Sequence, residues 1–116
     1  MKNFTYKMAN GEVLSGTVDV EINYTGWNEI NYACVVLDST PKNGVITRVK
    51  FTRDLVEHLG GQGQKSVSEE FYIEKIRDGI VIDRELVDVS GGRPHVVDLD
   101  AAGGYGKAIK AALQEG

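Results

Sequence analysis

Three dipeptides, Asn10-Gly11, Asn43-Gly44 and Asp78-Gly79, constrain this chain more than any other feature, because each stands between runs whose apolar residues recur at every second position. Asn-Gly and Asp-Gly accept the positive φ values of a type I′ turn, whose twist matches that of the strands it joins. Each is therefore expected to close a hairpin. Before the first turn, Phe4, Tyr6 and Met8 alternate with polar neighbours. After it, residues 17–24 put Val18, Val20, Ile22 and Tyr24 on one face and Thr17, Asp19, Glu21 and Asn23 on the other. The run from Tyr32 to Leu37 is continuously apolar and predicts a strand covered on both faces near the middle of a sheet. Residues 45–51 alternate again, and residues 69–77 and 80–89 form the two arms around Asp78-Gly79.

Helix signals come second. Thr52 is a good N-cap, Leu55, Val56 and Leu59 share a helical face, and Gly60 stands where a C-cap glycine belongs, so residues 53–59 are expected to form a short helix. Residues 60–66 then break all periodicity. His95 to Leu99 can add a seventh strand, and Tyr105, Ile109 and Leu113, with Ala108 and Ala112 beside them, mark the apolar stripe of a C-terminal helix. The expected fold class is α+β: a mainly antiparallel curved sheet or partly open barrel of six to seven strands, with a short middle helix and a C-terminal helix. Length allows one domain, residues 1–116.

Composition narrows function by exclusion. A net charge of −4 disfavours a sequence-independent grip on nucleic acid, which needs a basic stripe. The single cysteine, Cys34, is expected as a small buried thiol, and with no disulfide possible the chain fits a reducing cytoplasm. The N-terminus has no apolar leader and no segment is long enough to cross a bilayer as a helix, so a soluble, unprocessed protein is expected. No nucleophile and base stand in a catalytic context, so the chain reads more readily as a binding protein than as an enzyme.

The stretch SGGRPHVVDLDAAGGYGK, residues 90–107, carries the densest chemistry. Its glycines can leave backbone N–H groups open to an anion at the start of the last helix, and Arg93, His95 and Lys107, with Lys65 from the glycine-rich loop, form a candidate anion site. It is no nucleotide fingerprint: Ala102 occupies the place of the first glycine of a phosphate loop, and Lys107 precedes Ala108 instead of Ser or Thr. No cofactor is expected. The plain account gives every glycine a turn and makes Asp100 the helix cap, leaving only the cations unassigned. Asp98 and Asp100, one residue apart, have a spacing that can hold a divalent ion, but no third ligand accompanies them and no metal is expected.

Trp27 is the only tryptophan, in a polar loop between Tyr24 and Tyr32. A rigid aromatic at a loop tip either folds back on the sheet or forms the centre of an interface, and Trp27, Tyr24 and Tyr32 are the candidate interface residues. The first reading is thus a small intracellular interaction protein, of the inhibitor, immunity or accessory type. It is expected to form a homodimer through a sheet edge or the Trp27 loop. A binder of a phosphorylated small molecule is the alternative, and a metal-dependent enzyme using Asp98 and Asp100 a weaker one.

Overall fold

A computed structural model describes residues 1–22, 30–57, 65–87, 99 and 103–115. The side chains of residues 55–57, 65–67 and 115 fall outside this description. Six strands form one antiparallel sheet in chain order: β1 (Lys2–Lys7), β2 (Val13–Ile22), β3 (Ile30–Ser39), β4 (Val45–Glu57), β5 (Lys65–Arg77) and β6 (Ile80–Val87). The sheet is open, with β1 and β6 as its edges. One helix, α1 (Tyr105–Glu115), packs on one face of it, against β2 and β3.

All three turns join neighbouring antiparallel strands, as their sequences predict. Asn43 and Gly44 have φ of 54° and 76°, and Asp78 and Gly79 of 52° and 77°, the left-handed pair that a tight I′ loop needs. Asn10-Gly11 reaches the same end differently. Only Gly11 is left-handed, at 88°, its N–H bonding the Met8 carbonyl at 3.0 Å, while Asn10 Oδ1 accepts from the Glu12 N–H at 2.9 Å. That is a turn followed by a glycine bulge, one residue longer than the I′ loop.

Register then places an apolar row across the sheet: Val18, Val35, Phe51, Phe71 and Val87 stand opposite one another from β2 to β6. All five are buried, and Leu14, Leu37 and Val49 extend the core on the same face. The helix completes it with Ala108, Ile109 and Ala112, whose small alanines let the helix axis come close. Gly103 and Gly104, with φ of 62° and 108°, turn the chain into the helix. Gly106 is required for contact, since a Cβ there would overlap the carbonyl of buried Leu99.

Several expectations are corrected. Residues 53–57 continue β4, where the predicted helix would have begun, because β4 pairs with β5 along its whole length from Val45↔Arg77 to Glu57↔Lys65. A full antiparallel ladder outweighs the local preference of one threonine cap. Residues 58–60 of that call lie outside the described residues. The seventh strand is not shown: residues 95–98 are outside the description, and Leu99 is a buried turn residue. β3 is covered on one face only, with Ala33, Val35 and Leu37 buried and Tyr32, Cys34 and Val36 partly exposed, so Cys34 is not a core thiol. No helix among the described residues is long and apolar enough to cross a membrane.

Gly106→Ala is expected to destabilise the fold. Alanine gains up to about 1 kcal/mol of helix propensity, but the overlap with Leu99 costs about 1–3 kcal/mol or more. Gly11→Ala, which meets no atom within 4 Å and suffers only its left-handed φ, is expected to lose about 1 kcal/mol. Urea denaturation of the two variants checks the order.

Candidate interaction surface

The meander sorts the connections between two ends of the sheet. The three tight turns lie at one end. Residues 23–29 and 58–64 are attached at the other, and the chain leaves β6 at Val87, level with Phe71 midway along the long strands. Trp27 and Tyr24, and also Arg93, His95, Asp98 and Asp100, lie outside the described residues. Tyr32 stands near the start of β3 on the face away from α1, opposite Glu21 and Asp54. Its phenol is held above the ordinary value, first by the charge of the Cys34 thiol two residues on and by a hydrogen bond to it, then by desolvation, Asp19 and Asp54. Lys65 opens β5 opposite Glu57. Lys107 is exposed at the start of α1, beside Met8 and Asn10 of the first turn.

Among the described residues no group of three His, Cys, Asp or Glu side chains is placed to hold a metal. Two other features emerge that periodicity alone did not reveal. The first is β6. Ile80, Val81, Ile82 and Leu86 are exposed at 66%, 46%, 51% and 53%, and no described strand pairs with the outer side of β6. Their exposure has a local cause: Lys75 faces Asp83 but Ile76 faces Val81, so Ile82 is an extra residue. Such a bulge re-aims side chains and raises local twist. The signal in the sequence was the unbroken triplet Ile80-Val81-Ile82 directly after a turn, which cannot alternate faces with polar residues.

The second feature is a row of alternating charge on the face away from α1. Asp38, Arg48, Glu74 and Arg84 stand directly opposite one another on β3, β4, β5 and β6. Arg48 donates to both Asp38 oxygens, at 2.7 and 3.0 Å, a two-pronged pair that with Glu74 favours its charged form. Glu74 is 8% exposed, and its Oε2 lies 3.7 Å from Arg84 Nε. The Arg84 guanidinium stacks 4.3 Å over the Tyr72 ring. The row thus ends at the open edge on a half-exposed cation.

On the helix side, Arg53 and Glu69 form a second cross-strand pair at 3.0 Å, with Glu69 buried and Arg53 Nε enclosed without a hydrogen-bond partner. It seals the core where the sheet runs towards residues 58–64.

No protein-family model matches this chain, and comparison with curated proteins and with solved structures finds no significant match.

The charge row gives a test. Glu74→Ala is expected to cost about 1–2 kcal/mol, because it strips a buried carboxylate from between two guanidinium groups. Asp38→Ala, at a pair more than a third exposed, is expected to cost under about 1 kcal/mol. Urea denaturation at low and high salt reads both; salt should shrink the Asp38 effect more.

Proposed function

We propose that this chain is a non-catalytic protein-binding domain, of the inhibitor, immunity or accessory type, that captures an extended segment of its partner along β6. The observation that carries this reading is the row of exposed aliphatic side chains, Ile80, Val81, Ile82 and Leu86, on an edge strand with no described neighbour. An edge offers unpaired backbone donors and acceptors for strand addition, and soluble proteins rarely leave such an edge apolar without a use for it. The other edge contrasts with it: β1 is shorter and ends in Lys2 and Lys7, the charged style that discourages pairing.

Charge names the partner's chemistry. Arg84 closes the row on a positive charge, so an added strand continues the alternation when it places Asp or Glu opposite Arg84, with an apolar residue two positions away to meet Leu86. A second copy of β6 fits poorly. Two-fold pairing opposes residues whose side chains share a face. Within residues 83–87, a centre at Arg84 opposes Arg84 to itself and Asp83 to Glu85, and a centre at Asp83 or Glu85 opposes that carboxylate to itself. A centre at Leu86 escapes these clashes but leaves Arg84 without an opposing carboxylate inside the strand, so a different protein that meets Arg84 and Leu86 together is the proposed partner, and a homodimer is proposed at a sheet edge or the Trp27 loop. The lone Cys34, partly exposed on an open sheet face, suits a reducing cytoplasm as the working compartment.

A photo-crosslinking residue placed at Leu86 in the full chain, expressed in its native cell, is expected to give one discrete heavier adduct, while the same residue at Asn3 on β1 gives none. Equal labelling at both edges, or none at Leu86, would refute the reading. Light scattering of the purified chain separates a homodimer from this contact, since Ile82→Lys is expected to abolish the adduct formed from position 86 and leave the mass of the free protein unchanged.

A further inference from the structure

Beyond the interaction edge, the helix-side face of β4 and β5 opens at the tight-turn end into a cleft of about 420 Å³. Three cations line it: Lys42 from the turn between β3 and β4, and Lys75 and Arg77 from the end of β5. Against them stands the carboxylate of Glu12. This cationic excess occurs in a chain whose formal net charge is −4. None of the three is ion-paired in the structure. Asp83 stands opposite Lys75 across β5 and β6, but its Oδ1 accepts from the Arg84 N–H at 3.0 Å.

Lys75 is the most fixed of the three. It is half-buried, and its Nζ donates to Thr47 Oγ1 at 2.7 Å. Thr47 is itself buried, and its backbone N–H donates to Ser39 Oγ at 2.9 Å. The phenol of Tyr105, which also lines the cleft, is held above its ordinary value first by desolvation and then by Glu12, with Thr47 acting the other way. One ammonium is thus anchored from below by a hydroxyl, with its remaining N–H groups free, beside a flexible guanidinium and a phenolic donor. A cation partly withdrawn from water and left without a counter-charge is costly, and an anion in the cleft removes that cost.

We propose that this cleft binds a phosphorylated small molecule through its phosphoryl group, with Lys75 as the fixed contact, Arg77 as a two-pronged donor and Lys42 closing over the anion. The volume falls in the range of small-molecule sites, about 300–1,000 Å³, and planar guanidinium groups suit phosphate oxygens. Lys107 does not line this cleft, and the site does not depend on the β6 contact.

The test is a titration of the full chain, isotope-labelled for NMR, with inorganic pyrophosphate and, in a parallel arm, a sugar monophosphate. Saturating shifts centred on Thr47, Lys75 and Arg77 are expected, with a dissociation constant below about 1 mM near physiological salt. Lys75→Gln, which keeps a donor for Thr47 but loses the charge, and Arg77→Gln should each weaken binding about fivefold or more, and Lys75→Arg should retain it. Lys50→Gln, on the opposite face, should change nothing. Saturation in the pyrophosphate arm alone identifies a bare polyphosphate; saturation in both identifies a phosphomonoester site. The proposal is overturned by failure to saturate in either arm, by shifts centred on Lys107, Met8 and Asn10 and not on Lys75 and Arg77, or by equal weakening in Lys50→Gln. Arg77 is exposed at a strand end, so its variant carries the test even where Lys75→Gln proves unstable.

Discussion

One helix has to cover a sheet much longer than itself. The eleven residues of α1 span about 16 Å at 1.5 Å per residue, whereas the thirteen residues of β4 and of β5 extend for about 43 Å. The dry core therefore lies where the helix reaches, and the helix-side face of the long strands must end it at both limits. Along β5 the sequence writes this directly. Phe71 is fully buried and Ile73 partly so, and to either side of them on the same face stand Glu69 and then Lys75 and Arg77. The polar chemistry of the domain is a consequence of where its only described helix stops.

That arrangement works only at a single register, because a slip of one residue would turn every core side chain outward. The I′ turns at Asn43-Gly44 and Asp78-Gly79 set it for four of the six strands, and the longer Asn10-Gly11 turn aligns β1. The same register that stacks Val18, Val35, Phe51, Phe71 and Val87 on one side stacks Asp38, Arg48, Glu74 and Arg84 on the other. Core and charge row are two readings of one alignment, so the charge left over at the edge follows from the packing inside.

This explains what could be read from the sequence and what could not. The antiparallel hairpins and their three turns were legible because period-two alternation and turn dipeptides are local signals. The helix expected at residues 53–59 is overturned over 53–57 because a threonine cap and an apolar spacing of three and four are also local, and the partner that overrides them, residues 65–69, lies beyond residues 58–64. β3 looked covered on both faces because Cys34 and Val36 are apolar, yet the only described helix packs on the other face and leaves them partly exposed. Of the expected anion-site residues, Lys107 is placed at the tight-turn end, while Lys75 and Arg77 went unnoticed despite sharing the parity of Phe71 and Ile73. A cation on the core face of a strand is a signal, but it acquires meaning only once the limit of the helix is known.

The two ends of the helix-side face resolve the same problem in opposite ways. At Arg53 the guanidinium meets the carboxylate of Glu69 at 3.0 Å, with Glu69 almost fully enclosed. The loss of hydration is offset within the chain, and such a pair needs no other molecule to account for it. At Lys75 the nearest facing carboxylate, Asp83, is engaged with the backbone, and the ammonium rests on a neutral hydroxyl. Had β5 needed only a polar end to its core, serine or threonine at position 75 would have served without placing a charge in a half-buried site. The asymmetry between a matched cation at one end and three that share a cleft with the single carboxylate of Glu12 at the other is therefore not required by the packing. Charge that the fold does not need and does not neutralise is the physical mark of a surface shaped for something outside the chain.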